Sequence, residues 1–322
     1  MSISRLSTAI ADGALPAISG SVCLMRPPAT YDVGPLPREG ITIQHSFYPD
    51  AAAWRAAGYD VVRDAVKADT AIMVVPRSKA LARQMIATAC KMADKVIVDG
   101  QKTDGTDSLF NACRKIIGPL PSVTKGHGRI FWFDSTNAFA DWAGEGPQTG
   151  AEGFVTTAGV FSDGNVDAGS ALLVDLLPPK LPARMADLGA GWGYLSHHVL
   201  QRDGVTGLDL IEAEAISLDC ARQNVSDPRA NFIWGDATSA QSGPYDGIVM
   251  NPPFHTGRSP DPSLGRAFIA AAARLLTPQG KLWMVANRHL PYENALQDGF
   301  RNVDMIGQNG AFKVFHANKP KR

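Results

Sequence analysis

The sequence predicts an α/β protein with two sheet-and-helix domains in tandem, and three observations lead there. Its 322 residues exceed the size at which one hydrophobic core usually serves, while an apolar share of 45% is ordinary for a globular fold. Short apolar runs, such as Asp69-Thr70-Ala71-Ile72-Met73-Val74-Val75-Pro76, alternate with segments of helical period, such as 78–93 with Leu81, Met85, Ile86, Ala89 and Met92 on one face. Between 134 and 164 the alternation lapses into Gly, Ala, Ser and Thr, which reads as a linker between the halves.

Taken in order, residues 1–19 are helix-like, 22–25 and 41–47 read as strands separated by Pro- and Gly-rich turns, and 69–76 is a clearer strand. The helix over 78–93 leads to a strand at 95–99 and a second helix at 109–117, so this half contains a parallel strand-helix-strand crossover. Pro76-Arg77-Ser78-Lys79 stands where the second half has a glycine turn, without the glycines that let backbone approach a ligand. Lys125, His127, Arg129, Phe131 and Trp132 form a candidate basic and aromatic patch, although alternation along a strand accounts for them equally. The expected boundaries are a first domain over 1–145, a linker over 146–164 and a second domain over 165–322.

The second half carries the motifs with chemistry. Asp187-Leu188-Gly189-Ala190-Gly191-Trp192-Gly193 follows a short apolar strand and opens a helix, so Gly189, Gly191 and Gly193 bring bare backbone close to a bound molecule. The spacing is G-x-G-x-G, unlike the G-x-G-x-x-G of nicotinamide binders. The next strand, 205–212, ends on Glu212, close to the roughly 20 residues past the glycines at which an acid grips ribose hydroxyls. Asp209 is the rival, disfavoured because it falls inside the strand. Asp236, in Gly235-Asp236-Ala237 after a strand at 232–235, is a further polar candidate, and an Asp in an ordinary turn explains it too.

Asp246-Gly247-Ile248-Val249-Met250 reads as a buried strand stopped by Asn251-Pro252-Pro253-Phe254, since two prolines cannot continue a ladder. That strand end offers the Asn251 side-chain carbonyl, the Pro252 backbone carbonyl on a stiffened chain and the flat face of Phe254. Two acceptors beside a ring suit a planar group bearing an NH2, such as a nucleobase amine or a side-chain amide. An Asn-Pro turn capped by a core phenylalanine is the competing explanation.

Together, the glycine motif, the acid after the following strand, Gly235-Asp236-Ala237 and Asn251-Pro252-Pro253-Phe254 resemble class I S-adenosylmethionine-dependent methyltransferases acting on amino groups. The Asn251 motif continued by His255, Ala286-Asn287-Arg288-His289-Leu290-Pro291-Tyr292, Gly310-Ala311-Phe312-Lys313-Val314-Phe315, and Gly159-Val160-Phe161-Ser162 followed by Val166-Asp167-Ala168-Gly169-Ser170 narrow it further. They resemble the ribosomal RNA small subunit methyltransferase C family and its large-subunit guanine relative. The resemblance covers about residues 155 to 318, and the first 150 in layout alone.

The resemblance implies two Rossmann-like methyltransferase domains in tandem. The N-terminal one is degenerate, binding RNA or serving as scaffold, and the C-terminal one is a class I methyltransferase with a mostly parallel seven-stranded sheet. It further implies S-adenosylmethionine as cofactor, held by Asp187, Gly189, Gly191, Gly193, Glu212 and Asp236, with Asn251, Pro252, Pro253 and Phe254 as catalytic residues and no metal. The reaction implied is methyl transfer to guanine N2 in 16S ribosomal RNA, with ribosomal RNA or the small ribosomal subunit as partner. In the family the stretch from Phe161 and Ser162 into a helix over 167–177 contacts cofactor or target, and an ordinary helix start explains it as well. His255 is a candidate base, though an acceptor so weakly basic loses its proton easily once methylated and a pocket-lining role accounts for the residue better; His197 and His198 are expected to be ordinary helix positions. A release-factor type protein glutamine-N5 methyltransferase, an adenine-N6 methyltransferase and a non-catalytic module binding S-adenosylmethionine or RNA are the alternatives. The release-factor class commonly carries Tyr where this chain has Phe254, and intact glycine and proline motifs count against a silent module.

Equal counts of 31 basic and 31 acidic residues leave no net charge, so gripping RNA phosphates calls for a local basic face rather than an overall excess. The halves differ too little in charge to assign RNA to either. Apolar runs fall far short of the roughly 18 residues of a membrane span, and Arg5, Asp12 and Pro16 interrupt any cleavable leader, so a cytoplasmic protein is expected. Cys23, Cys90, Cys113 and Cys220 are scattered, with no C-x-x-C pair and no His at metal-ligand spacing, and are expected to be reduced and mostly buried.

Overall fold

The structure, a computed structural model, describes residues 4–160, 165–253 and 262–321. The chain divides into two compact units, Met1–Gly146 and Pro147–Arg322. The first unit contains, in order, α1 (Arg5–Ala11), β1 (Val22–Met25), β2 (Ile41–Gln44), α2 (Tyr48–Ala56), β3 (Asp60–Val62), β4 (Ala68–Val74), α3 (Lys79–Met92), β5 (Ala93–Gln101), α4 (Thr106–Ile117), β6 (Ser122–Lys125) and β7 (Gly128–Asp134). The second contains β8 (Gln148–Thr149), β9 (Val155–Thr156), α5 (Ala168–Leu176), β10 (Arg184–Leu188), α6 (Tyr194–Leu200), β11 (Gly207–Glu212), α7 (Ala215–Asn224), β12 (Ala230–Trp234), β13 (Tyr245–Met250), α8 (Pro262–Leu275), β14 (Leu276–Asn287), α9 (Glu293–Gly299), β15 (Phe300–Gln308) and β16 (Phe312–Pro320).

Among the described residues each unit holds one seven-stranded sheet, ordered β3-β2-β1-β4-β5-β7-β6 in the first and β12-β11-β10-β13-β14-β16-β15 in the second. The two orders are the same strand for strand. In each, six strands run in one direction, and the sixth in the order, β7 or β16, runs against them, pairing antiparallel with both neighbours. The tandem α/β expectation therefore holds, mostly parallel sheets included.

The central strands are largely apolar because both sheet faces are covered, as parallel sheets require, with the buried Asp187 of β10 an exception. Along β13 the pleat sends Ile248 and Met250 into one core with Phe268, Ile269 and Leu275 of α8 and Leu296 of α9. Val249 points the other way, into a core with Leu173 and Val174 of α5 and Leu195 and Val199 of α6. Among the described residues no helix is long and apolar enough to cross a membrane. Cys23, Cys113 and Cys220 are buried thiols, and Cys90 is half-buried.

The shared strand order corrects one equivalence drawn from the sequence. Pro76-Arg77-Ser78-Lys79 follows β4, whose counterpart is β13, so it occupies the place of Asn251-Pro252-Pro253 and not that of the glycine turn. The counterpart of the glycine turn follows β1 and reads Arg26-Pro27-Pro28-Ala29. Its groups are consumed locally: the Arg26 guanidinium donates to Ser46 Oγ, Trp54 Nε1 to the Pro27 carbonyl (3.0 Å), and the Ala29 N–H to Asp50 Oδ1 (2.8 Å).

Three further expectations change. The first helix covers Arg5–Ala11 only, because Gly13 takes φ +71° and Pro16 cannot continue a helix. The basic and aromatic patch is split by the pleat and by pairing. Phe131 and Trp132 lie in the core, the Arg129 guanidinium donates to Asp107 Oδ1 at 2.9 Å, and Lys125 Nζ donates to Thr8 Oγ1 at 2.8 Å. The stretch beginning at 134 is also more built than a linker. A 3-10 turn at Asn137–Ala143 buries Phe139 against Phe133 and Trp142, and β8 pairs with β9 before the chain reaches Val160, itself buried against Trp192 and Cys220.

In α8, Gly265 faces the fully buried Tyr292, and a Cβ there would collide with its hydroxyl and the ring carbon that bears it. Alanine normally gains about 1 kcal/mol over glycine in a helix, whereas overpacking a core costs about 1–3 kcal/mol. Gly265→Ala is therefore expected to lower the urea midpoint of unfolding.

Candidate active site

Parallel pairing brings the predicted motifs to one edge. The strands β12, β11, β10 and β13 are adjacent, and each ends where a candidate residue begins: Asp236 after β12, Glu212 at the end of β11, the glycine turn after β10 and Asn251 after β13. In register, Leu188 lies beside Ile211 on one side and Met250 on the other. Such a carboxyl edge is where open parallel sheets bind ligands.

The glycine turn is held flat against β11. Gly189 and Ala190 donate their N–H groups to the Ile211 carbonyl at 2.9 and 3.2 Å, and Gly191 donates to Glu212 Oε2 at 2.8 Å. Gly189, Gly191 and Gly193 take φ values of +75°, +55° and +91°, a region that side chains with a Cβ rarely occupy. Glu212 Oε1 also accepts from the Glu214 N–H at 2.7 Å. Each carboxylate oxygen keeps a further lone pair, and Glu212 thus fits both the loop and a hydroxylated ligand above it. Asp209 sits within the strand, where it accepts from Tyr245 Oη at 2.5 Å and Asn231 Nδ2 at 3.0 Å. The strand end therefore belongs to Glu212.

Asp187 is wholly buried beneath the turn, with Oδ2 accepting from Ser196 Oγ of α6 at 2.7 Å. Burial pushes its carboxyl up to about 7, with the charge of Glu212 adding to the effect and the Ser196 hydrogen bond opposing it. Burial also raises the Glu212 carboxyl, against the pull of the Glu214 and Gly191 N–H groups. At Asp236, Oδ1 accepts from Thr238 N (2.8 Å) and Oγ1 (2.7 Å), which makes the residue the cap of its own turn.

Asn251 is held by a partner that the sequence motif did not reveal. Its Nδ2 donates to Asp167 Oδ2 and to Ser170 Oγ, both at 2.8 Å. Asp167 is also the N-cap of α5, accepting from the Ser170 N–H at 2.8 Å, so an ordinary helix start and a contact to the motif are the same feature. Asn251 Oδ1 is buried without a hydrogen-bond partner among the described residues. Pro252 is buried and Pro253 exposed. Phe254 and His255, like Phe161 and Ser162, lie outside the described residues.

A cleft lined by Asp167, Ser170, Gly189, Gly191, Tyr194 and Asn251 among others joins the glycine turn to Asn251 and the start of α5. A further clamp missed in the sequence is Asn224 at the end of α7. Its Nδ2 donates to the carbonyls of Trp192 (2.8 Å) and Val155 (2.9 Å), and its Oδ1 accepts from the Val155 N–H (2.6 Å). This ties the β8–β9 hairpin to the glycine turn. Phe154 packs its ring on Trp192, Tyr194 and His197, so this histidine forms part of an aromatic layer on α6. Among the described residues no group of three or more His, Cys, Asp or Glu side chains is placed to hold a metal ion.

A seven-stranded sheet of this order, with a glycine turn, a strand-end acid and an Asn-Pro-Pro turn at one edge, defines a class I methyltransferase domain. The profile of the family described as "Methyltransferase small domain" matches residues 152–316, about half of the chain. The ribosomal RNA small subunit methyltransferase C of Cronobacter sakazakii is 30% identical over 278 residues, covering 81% of this chain and 80% of that protein. The protein of the same name from Shewanella halifaxensis is 29% identical over 261 residues, 77% and 76% of the two chains. The chain belongs to the ribosomal RNA small subunit methyltransferase C family. The solved T. thermophilus 16S rRNA N2 G1207 methyltransferase (RsmC), in complex with AdoMet and guanosine, shares the fold at a TM-score of 0.79 and 22% identity, over 94% of this chain and 89% of that one.

The buried Asp187 generates a pH prediction. Its folded carboxyl keeps its proton up to about pH 7, while the unfolded one releases it near the ordinary value of 3.8. The unfolded state therefore binds fewer protons between these values, and stability falls as pH rises through that window, then stays level. Asp187→Asn cannot ionise. Its thermal midpoint relative to the parent should rise by at least about 2 °C between about pH 4 and about pH 8.

Proposed function

We propose that the chain transfers the methyl group of S-adenosylmethionine to the exocyclic N2 amine of a guanine in small-subunit ribosomal RNA. The observation that carries this reading is the buried Asn251 Oδ1, an acceptor held at the strand end beside the glycine turn. The printed names of the relatives, small subunit methyltransferase C, and the guanosine held by the T. thermophilus enzyme support the choice of target.

The residues present fit the cofactor. Gly189, Gly191 and Gly193 would admit it against bare backbone, Glu212 would take its ribose hydroxyls on the remaining lone pairs, Asp236 its adenine amine, and Asp187 would support the turn from below. When bound, the sulfonium would supply an already activated methyl group and leave as a neutral thioether, and the weakly basic methylated amine would release its surplus proton to water. The protein's task is then to align the acceptor nitrogen, whose lone pair is delocalised into the guanine ring. Asn251 Oδ1 and the Pro252 carbonyl accept the amine N–H bonds, which favours the pyramidal, nucleophilic nitrogen and stabilises the charge appearing on it. Phe254, from its place in the sequence, provides the stacking face for a base brought out of its helix.

In this reading residues 1–145 are a degenerate copy that holds RNA or serves as scaffold, 146–164 connect, and 165–322 carry the chemistry, in the cytoplasm where small subunits are assembled. The Arg26-Pro27-Pro28 turn supports the loss of cofactor binding in the first unit, because its proline-stiffened backbone and filled hydrogen bonds replace the glycines.

Purified protein incubated with small ribosomal subunits and labelled S-adenosylmethionine should give N2-methylguanosine on digestion. Label in N6-methyladenosine, or in a release-factor glutamine, would sink the target assignment. Asn251→Ala is expected to lower kcat by roughly a hundredfold or more with cofactor affinity nearly unchanged. Calorimetry should find one cofactor site per chain, lost entirely in Gly191→Arg and weakened in Glu212→Ala. A second site surviving Gly191→Arg would overturn the account of the first unit.

A further inference from the structure

Resting on that reading of Asn251, we propose that Asp167 is a positioning residue that decides which end of the Asn251 amide faces the reacting amine. A primary amide has two ends of nearly equal size, one an acceptor and one a donor. Only the acceptor end serves methyl transfer to an NH2 group. Packing alone distinguishes the ends poorly, so the choice has to come from a hydrogen-bond partner.

Asp167 and Ser170 both touch Asn251 Nδ2 at 2.8 Å, yet they are not equivalent. The Ser170 hydroxyl can donate or accept, so it satisfies either amide orientation. An ionised carboxylate can only accept. Facing Asp167 Oδ2, the amide must present its NH2, and turning it over would set two oxygens against each other while leaving the NH2 in the acceptor's place. The carboxylate is itself fixed, because the same Oδ2 caps α5 by accepting from the Ser170 N–H at 2.8 Å, and the Asp167 carbonyl accepts from Ala171 N at 2.9 Å. Oδ1 is thereby aimed away from α5, buried and without a partner among the described residues. The charge-assisted bond to Nδ2 also polarises the amide, placing more negative charge on Oδ1 where the reacting nitrogen becomes positive.

The start of α5, a segment 84 residues before Asn251 in the chain, thus sets the catalytic acceptor. The arrangement differs from a plain helix cap in what it demands of residue 167. Asn, Asp and Ser cap helices about equally well, but of these only Asp lacks a proton to give.

The test is a double-mutant cycle on the full chain, with methylation of small ribosomal subunits followed at saturating S-adenosylmethionine. Asp167→Asn keeps the cap yet can donate to Asn251 Oδ1 and turn the amide over. It should lower kcat by roughly ten- to a hundredfold, as for loss of a hydrogen bond to a charged group, with the cofactor Kd and thermal midpoint little changed. Ser170→Ala should cost less than about fivefold, because it removes a partner that does not choose. In an Asn251→Ala background, Asp167→Asn should add less than about twofold, since no amide remains to orient. Asp167→Ser, also a good cap, serves if the Asn variant folds poorly, and the same non-additivity is expected of it. Full additivity in the cycle, or an Asp167→Asn kcat within about twofold of the parent, overturns the proposal while the role of Asn251 stands. A parent-like kcat in Asn251→Ala instead removes the reading of Asn251 and this inference with it.

Discussion

Because β10 pairs in parallel with β11 on one side and β13 on the other, the chain must leave all three strands at the same edge of the sheet. That constraint creates the site. The glycine turn, Glu212 and Asn251 are far apart in sequence and carry no mutual attraction that would gather them unaided. The buried faces of β10 and β13, with Met185 and Val249 in one core and Ala186, Leu188, Ile248 and Met250 in the other, fix the register, since a slip by one residue would exchange the two faces. The apolar interior thereby decides where the polar groups of the edge stand.

Those polar groups are costly to place. Asp187 is fully buried with one oxygen bonded to Ser196 and its proton retained to about pH 7, and Asn251 hides an acceptor with no partner among the described residues. A sequence under selection for stability alone would remove such groups. Asn251 lines the cleft beside the glycine turn and Asp187 lies buried beneath that turn, and around them the structure is held tightly: Gly191 to Glu212, Asn224 to Trp192, Asp167 to Asn251. Unsatisfied acceptors with firmly held neighbours form a preorganised binding edge, in which little has to move when charge appears.

The first unit shows the same sheet order without that edge. Where the second unit has glycines after β10, the first has Arg26, Pro27 and Pro28 after β1. Where the second has Asn251-Pro252-Pro253 after β13, the first has Pro76-Arg77-Ser78 after β4. Its buried polar contacts are structural instead. Asp99 accepts from Arg5 Nε at 2.6 Å and from Tyr31 Oη at 3.0 Å, joining α1 to β5. Architecture and chemistry are separable here, because the sheet order depends on apolar patterning and the chemistry on a few residues in the turns.

Much of this was legible in the sequence, for local reasons. Apolar runs, helical period and proline or glycine stops located most strands and helices, and a count back from the strand end selected Glu212 over Asp209, because both signals act over a few residues along the chain. Contacts between distant segments were not legible. Placing Pro76-Arg77-Ser78-Lys79 correctly required the strand order, and choosing between a patch and plain strand alternation at Phe131 and Trp132 required knowing that both faces of β7 are covered. The 3-10 turn that buries Phe139 lies in a stretch without periodicity, where burial comes from packing on α3, a segment distant in the chain, as well as on Phe133 and Trp142. The sequence by itself determined which residue types stand at the strand ends, Gly, Glu and Asn, and therefore what they can donate or accept. Only the tertiary structure decided that Asp167 meets Asn251 and that the Asn251 acceptor is turned from α5, because a hydrogen bond between residues so far apart exists only once packing has brought β13 beside α5.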